Sequence, residues 1–331
     1  MTATLEPAST ASTSEHIRRT VERLAPGWGL AREYAVATLI STSENATFRL
    51  DDGRHPPLAV RHYRPGYHTE GEIRSELAWV SALAQEGVVP TPPPVGHSGD
   101  ILVVPDDPSA RFSAFRFVNG KEPPQSVETF KKIGAITARL HEHATRWTPA
   151  PDFARKSWTF DTTLGERPHW GRWQDAAFER DERAVVSRAV ERLRDRLARY
   201  GTGPNRFGLI HGDLRAANLV EDAGGALYVI DFDDCGFGWF AYDFAASVSF
   251  QETNPALSEW RQAWLEGYRE VRAFGAEDDT VLADMIMLRR ILLTAWLASR
   301  PDADPVAEFG RGFPSGTARL AERYCAGGTL F

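Results

Sequence analysis

Two short apolar runs, Asn218-Leu219-Val220 and Ala226-Leu227-Tyr228-Val229-Ile230, stand on either side of Gly224-Gly225. β-prone residues flanking a glycine pair predict an antiparallel hairpin. Such a hairpin folds the chain back on itself, so Asn218 before its first strand and Asp231 after its second meet at one end. An amide oxygen and a carboxylate converging there suit Mg²⁺, which takes few protein ligands and completes its octahedron with water and phosphate oxygens. Asp and Asn also serve as ordinary turn residues beside a core hairpin. The residues just upstream therefore decide which reading applies.

Those residues are His211-Gly212-Asp213-Leu214-Arg215-Ala216-Ala217-Asn218. The pattern H-x-D-x-x-x-x-N, followed by a strand that ends in Asp, has the spacing of a phosphoryl-transfer loop. A hydroxyl must lose its proton as it attacks phosphorus, and Asp213 is the expected acceptor. A carboxylate in this role positions the hydroxyl and takes the proton late, so it needs no large pKa shift. With Asp213 as base, His211 is expected to support the loop through hydrogen bonds.

The N-terminal part offers phosphate-side candidates. Ser41-Thr42-Ser43-Glu44-Asn45-Ala46 lies between two strand-like segments. Its hydroxyls and backbone N–H groups, with Ser43 and Asn45 foremost, either cap phosphates or make an ordinary polar hairpin. Arg61, at the end of the run Leu58-Ala59-Val60-Arg61, is the expected cation for the α- and β-phosphates, with Glu76 on the next helix as its partner.

The 331 residues usually exceed one hydrophobic core. Up to about residue 118 the pattern is β-rich. Tyr34–Ile40, Ala46–Leu50, Leu58–Tyr63, Ile101–Val104 and Ser113–Phe117 read as strands, and Asp52-Gly53 reads as a turn. A short helix with Ser14 as N-cap precedes them, and an apolar face at helical spacing predicts another from Glu70 to near Gly87. Beyond that boundary helices dominate, over Val127–Trp147, Asp181–Tyr200, Pro255–Phe274 and Asp279–Ser299. The expected organisation is a disordered tail over 1–14, a nucleotide-binding lobe over 15–118, and a helical lobe over 119–331 with the catalytic loop and substrate site. Nucleotide sites often occupy a cleft between such parts.

A formal net charge of −7 with mixed signs argues against a nucleic-acid surface. The apolar stretch Met285–Ala298 is interrupted by Arg289 and Arg290, so it reads as a buried helix and not a membrane span. Cys235 and Cys325 form no metal or redox pair, and no secretory signal is apparent, so a reducing cytoplasm is expected. Nothing in the pattern specifies an oligomeric state. Trp158, His169, Trp170 and Trp173 fall in one irregular connection, where they either pack that connection or line a small-molecule pocket. Asp233, Asp234 and Trp239, beside the metal strand, are further substrate candidates, as is Trp170.

His211-x-Asp213-x-x-x-x-Asn218, Asp231-Phe232-Asp233 and Tyr242-Asp243-Phe244-Ala245 resemble the aminoglycoside phosphotransferase and choline kinase superfamily. Ser43-Glu44-Asn45-Ala46-Thr47-Phe48 is similar to its nucleotide loop. The resemblance runs from about Thr38 to Leu297. It implies an α+β, bilobal, protein-kinase-like fold that uses ATP and Mg²⁺. It also implies Asp213 as base, Asn218 and Asp231 as metal ligands, and Asp243 as a brace for the catalytic loop. Arg61 stands where that family usually has Lys, and Ala216-Ala217 where it often has Pro-Gly. The implied acceptor is a small-molecule hydroxyl, as in the aminoglycoside, choline and homoserine kinases, although His211-Gly212-Asp213-Leu214-Arg215 is unlike the best-known drug-resistance members, so an aminoglycoside itself is not implied. Alternatives within the superfamily are a stress-response Ser/Thr protein kinase and a nucleotide-binding pseudokinase.

Overall fold

The computed structural model describes residues 10–42, 45–96, 101–104, 107–300, 309, 310, 312–327 and 330. The chain forms two compact units, Met1–Ala84 with Pro92–Asn119, and Gln85–Thr91 with Gly120–Phe331.

The first unit begins with α1 (Thr10–Leu24) and continues through β1 (Val36–Thr42), β2 (Ala46–Asp51), β3 (Leu58–Tyr63) and α2 (Glu70–Gln85). It ends with β4 (Pro94–Val95), β5 (Leu102–Val104) and β6 (Asp107–Arg116). These strands form one antiparallel sheet in the order β1-β2-β3-β6-β4, with β5 also on β6. The Asp52 carboxylate makes the turn from β2 to β3 by accepting the backbone N–H groups of Arg54 and His55. Phe48, Leu50, Val60, Phe112 and Ala114 join Val21 and Trp28 in one core. Residues alternate across a strand, so Arg61 and Tyr63 face the other way, and Tyr63 packs with Ile73 and Leu77 of α2.

Two expectations are corrected here. Thr10–Ser14 belong to α1, so they are not tail and Ser14 is not an N-cap. The remainder of the expected tail, residues 1–9, lies outside the described residues. In addition, Gln85–Thr91 belongs to the second unit. Its Pro90 carbonyl accepts the Val229 N–H at 2.8 Å, and the Thr91 hydroxyl donates to the Val229 carbonyl at 2.9 Å.

The second unit starts with α3 (Val127–Arg146), whose Ser126 N-cap accepts the Thr129 N–H at 3.1 Å. Next come β7 (Ser157–Trp158), α4 (Phe160–Thr163), α5 (Arg180–Tyr200) and β8 (Phe207–Ile210). The hairpin β9 (Leu219–Glu221) and β10 (Leu227–Val229) follows, then β11 (Gly236–Trp239). The unit closes with α6 (Tyr242–Ser247), α7 (Leu257–Arg269), α8 (Ala276–Ser299) and α9 (Gly312–Cys325). α3 crosses α7 closely at Gly134, where a Cβ would stand 2.0 Å from the Trp264 carbonyl oxygen. β11 pairs parallel with β7 and antiparallel with β8. That sheet anchors both ends of the segment carrying the motif. α8 is buried over most of its length, including Arg289 and Arg290. No helix among the described residues is long and apolar enough to cross a membrane.

Candidate active site

β8 delivers the chain to His211, and a turn follows that only glycine fits well. Gly212 has φ +82°, and a Cβ there would lie 2.5 Å from the Asp234 carbonyl oxygen. The turn is held from α6. One Asp243 carboxylate oxygen accepts the Gly212 N–H at 2.8 Å, and the other accepts the His211 N–H at 3.1 Å. Behind Asp243, His141 Nε2 lies 3.0 Å from its carboxylate, and His141 Nδ1 lies 2.9 Å from the Tyr268 hydroxyl.

These groups are fully buried, and their titration follows from that. Burial pushes His141 below its ordinary pKa despite its bond to Asp243, so the ring is neutral. The network then assigns its proton to Nε2, donating to Asp243, while Nδ1 accepts from Tyr268. Burial alone would raise Asp243. The bond from His141, the nearby imidazoles and the Gly212 N–H outweigh it and hold the carboxyl below its usual range.

His211 is also neutral, because burial lowers its pKa against the pull of Asp243, Asp213 and Asp231. Its Nδ1 accepts the Asp213 N–H at 3.3 Å, and its Nε2 donates to the Ile230 carbonyl at 3.2 Å. With both ring nitrogens committed to backbone, it ties the Gly212–Asp213 turn to the hairpin and has no lone pair left for another donor.

The hairpin brings Asn218 and Asp231 to one end. β9 and β10 pair in the register Val229↔Leu219, and the next bond runs from the Ile230 N–H to the Asn218 carbonyl at 3.0 Å. The Asn218 amide nitrogen donates to the Asp213 backbone carbonyl and to its carboxylate, both at 2.8 Å. That commitment leaves Asn218 Oδ1 as the acceptor. Asp231 sits at φ +63°, a left-handed conformation uncommon for non-glycine residues, which Asp tolerates better than most. Among the described residues no three His, Cys, Asp or Glu side chains gather as a metal cage. One carboxylate and one amide oxygen instead fit a hard divalent cation that fills its shell with phosphate and water oxygens.

Asp213 itself is mostly covered, with 15% of its side chain exposed. Its Oδ1 pairs with Arg289 of α8, and its Oδ2 lies 3.3 Å from Arg215 Nε. The turn after Asp231 is clamped by the buried Arg155, which donates to the Cys235 carbonyl at 2.7 Å and to the Asp233 carbonyl. Asp233 is buried and Asp234 half-buried beside the loop. Trp170 and Trp239 sit in the interior instead of lining an open wall. Trp170 packs edge-on to Trp158 and Trp296 and lies under the Arg289 guanidinium. Trp239 packs on Phe207 and donates its indole N–H to the Gly201 carbonyl at 2.8 Å.

In the first unit, Arg61 Nη1 and Glu76 Oε1 form the expected pair at 2.6 Å, both buried. The Asn45 amide oxygen accepts the Arg64 N–H at 3.0 Å, so this side chain fixes the chain locally. Ser43 lies outside the described residues.

Sequence reasoning did not find Arg289, His141 or Arg155. A signal existed for the first. An arginine in an otherwise apolar buried helix needs a partner, because an unpaired buried charge is prohibitive.

The sequence profile of the phosphotransferase enzyme family matches residues 36–277. The chain belongs to that family. It is an ATP-dependent phosphotransferase that moves the γ-phosphoryl group to a hydroxyl of a small molecule. The structure of a microcompartment-associated aminopropanol kinase is similar to this kinase at 40% identity and a TM-score of 0.86, covering 94% of this chain and 99% of that one. Amicoumacin kinase of Bacillus subtilis (strain 168) is 24% identical over 268 residues, 76% of each chain. The solved amicoumacin kinase hAmiN, which holds the ATP analogue AMP-PNP with Ca²⁺ and Ami, shares the fold at a TM-score of 0.75 and 19% identity, over 98% of this chain and 97% of that one.

Proposed function

We propose that this kinase phosphorylates a small amino alcohol, with Mg²⁺·ATP as donor. The observation that carries the reading is the 40% identity, over nearly the full length of both chains, to a kinase of aminopropanol. The local chemistry agrees. Asp213, Asp231, Asp233 and Asp234 fall within one short stretch around the loop and hairpin, and an acidic site favours a protonated amine.

In this reading Asp213 accepts a hydrogen bond from the acceptor hydroxyl and takes its proton as the oxygen–phosphorus bond forms and the bond to the ADP oxygen breaks. Asn218 and Asp231 would hold the cation, which would supply positive charge against the phosphate oxygens. Arg61, held by Glu76, is the phosphate-side cation, and Asp233 and Asp234 are the candidates for the amine. His211 keeps Asp213 aimed without exchanging protons with substrate. Cys235 and Cys325 are not joined in a disulfide, which suits a reducing cytoplasm.

ADP release measured with Mg²⁺·ATP against a panel of amino alcohols, homoserine, sugars and aminoglycosides tests the reading. Turnover is expected to be highest with the amino alcohols and to fall by about 10³-fold in Asp213→Asn. A panel in which another hydroxyl class is turned over and the amino alcohols stay at the acceptor-free rate refutes it.

A further inference from the structure

The best-protected side chain bonded to the Asp213 carboxylate is Arg289, which reaches it from α8, 76 residues away in sequence. Its side chain is only 3% exposed, and each guanidinium nitrogen has a partner. Nη2 pairs with Asp213 Oδ1. Nη1 donates to the Gly212 carbonyl at 3.3 Å and to the Tyr242 hydroxyl at 3.1 Å, and Nε donates to Ser249 Oγ at 3.0 Å. The Trp170 ring closes the site, 5.0 Å from the guanidinium carbon. A planar fork anchored to the Gly212 turn, to Tyr242 of α6 and to Ser249 just beyond that helix does not rotate. It therefore fixes both the backbone of the Gly212 turn and the carboxylate that follows it.

The other contacts of Asp213 show why this matters. Oδ2 accepts the Asn218 amide N–H, whose oxygen is a proposed metal ligand, and lies near Arg215. Arg215 leaves 37% of its side chain exposed, so it cannot define an orientation as firmly. Arg289 commits four of its five N–H groups to these partners and has almost no exposed surface with which to meet nucleotide or acceptor. Whatever it contributes to turnover must pass through Asp213.

We propose that Arg289 is the positioning residue of the proton acceptor: it locks the Asp213 carboxylate from the Oδ1 side, so that Oδ2 stays registered against Asn218 and the incoming hydroxyl. This rests on Asp213 taking the proton, but not on the identity of the acceptor. A lysine here would keep the charge and one contact while losing the fork.

The test is a cycle of four proteins: wild type, Arg289→Met, Asp213→Asn and the double variant, with Arg289→Lys as a fifth. Arg289→Met is expected to lower kcat by about 10²-fold, the size of effect that small misplacement of a reacting group produces. KM for ATP should stay within about threefold, and Arg289→Lys should recover part of kcat. In the Asp213→Asn background the Met substitution should remove no further activity. The proposal is overturned if Arg289→Met keeps kcat near wild type, or if it lowers kcat equally in both backgrounds. If Arg289→Met does not fold, the same cycle is read with Arg289→Lys. If the wild type turns over no acceptor, the functional reading fails on its own, and thermal unfolding of the same proteins decides the pairing. Additive shifts in the unfolding midpoint then overturn the proposal, and strong non-additivity supports it.

Discussion

Replacing Asp243 by Asn probes the brace behind the catalytic loop almost without changing its shape. The wild-type carboxylate accepts three hydrogen bonds, from Gly212 N–H on one oxygen and from His211 N–H and His141 Nε2 on the other. Asparagine has one acceptor oxygen and one NH₂ group. If its oxygen faces Gly212, its NH₂ faces two donors. His141 can relieve one conflict by moving its proton to Nδ1 and donating to the Tyr268 oxygen, 2.9 Å away. The His211 N–H has no such option, because it is backbone, and it is left buried against another donor. An unsatisfied buried N–H costs about 1–3 kcal/mol, and the lost charge-assisted bond about 1.5–3 kcal/mol, so Asp243→Asn should lose about 3–5 kcal/mol of stability. Urea denaturation followed by tryptophan fluorescence measures this, alongside kcat at a temperature where the variant is folded. kcat should fall at least about tenfold, since the amide released, that of His211, lies two residues before Asp213. A loss under about 1 kcal/mol with kcat unchanged would refute the argument that Asp243 holds the turn.

Two other outcomes follow from the same geometry. Gly212→Ala faces both a positive φ and a backbone oxygen 2.5 Å from the new Cβ, whereas Gly225→Ala, at φ +81° in open space, faces the first alone. Gly225→Ala should therefore cost about 1 kcal/mol with kcat intact, and Gly212→Ala should cost more and lower kcat. Equal behaviour of the two variants in the same assays would contradict this. The second outcome concerns pH. His141 and His211 titrate below their ordinary 6.5 because of burial, so below about pH 6.5 the unfolded chain binds protons that the folded chain does not. Their contribution is fully present above that pH and is lost as pH falls, at up to about 1.4 kcal/mol per pH unit for each ring. Denaturation midpoints should drop steadily from pH 7 to pH 5, and a flat profile would show that the rings are not held neutral.

Much of the segment from His211 to Asp231 was legible because its information is local. A hairpin around Gly224-Gly225 has to return Asp231 to Asn218, whatever surrounds it. The Arg61–Glu76 pair was equally readable, from a strand end and one helical position. Helix α9 was harder to see. Gly312, Pro314 and Gly316 fill its first turns with weak helix formers, and its helical state comes from packing on α5 and α8. The substrate aromatics were ambiguous for a related reason. An irregular connection rich in Trp reads alike whether its rings face solvent or an arginine, and Trp170 proved to lie under one.

The sequence by itself determined the family, the turn that carries Asp213 and the hairpin that returns Asp231 to Asn218. Those features depend on spacings of a few residues, over which backbone geometry leaves little choice. Only the tertiary structure decided what holds them in place. His141 meets Asp243 across 102 residues, and Arg289 meets Asp213 across 76. Gln85–Thr91 joins the second unit through bonds to Val229, 138 residues on. No local periodicity encodes such contacts. They exist because buried charges and buried amides must find partners, and which partners are within reach depends on how the helices pack.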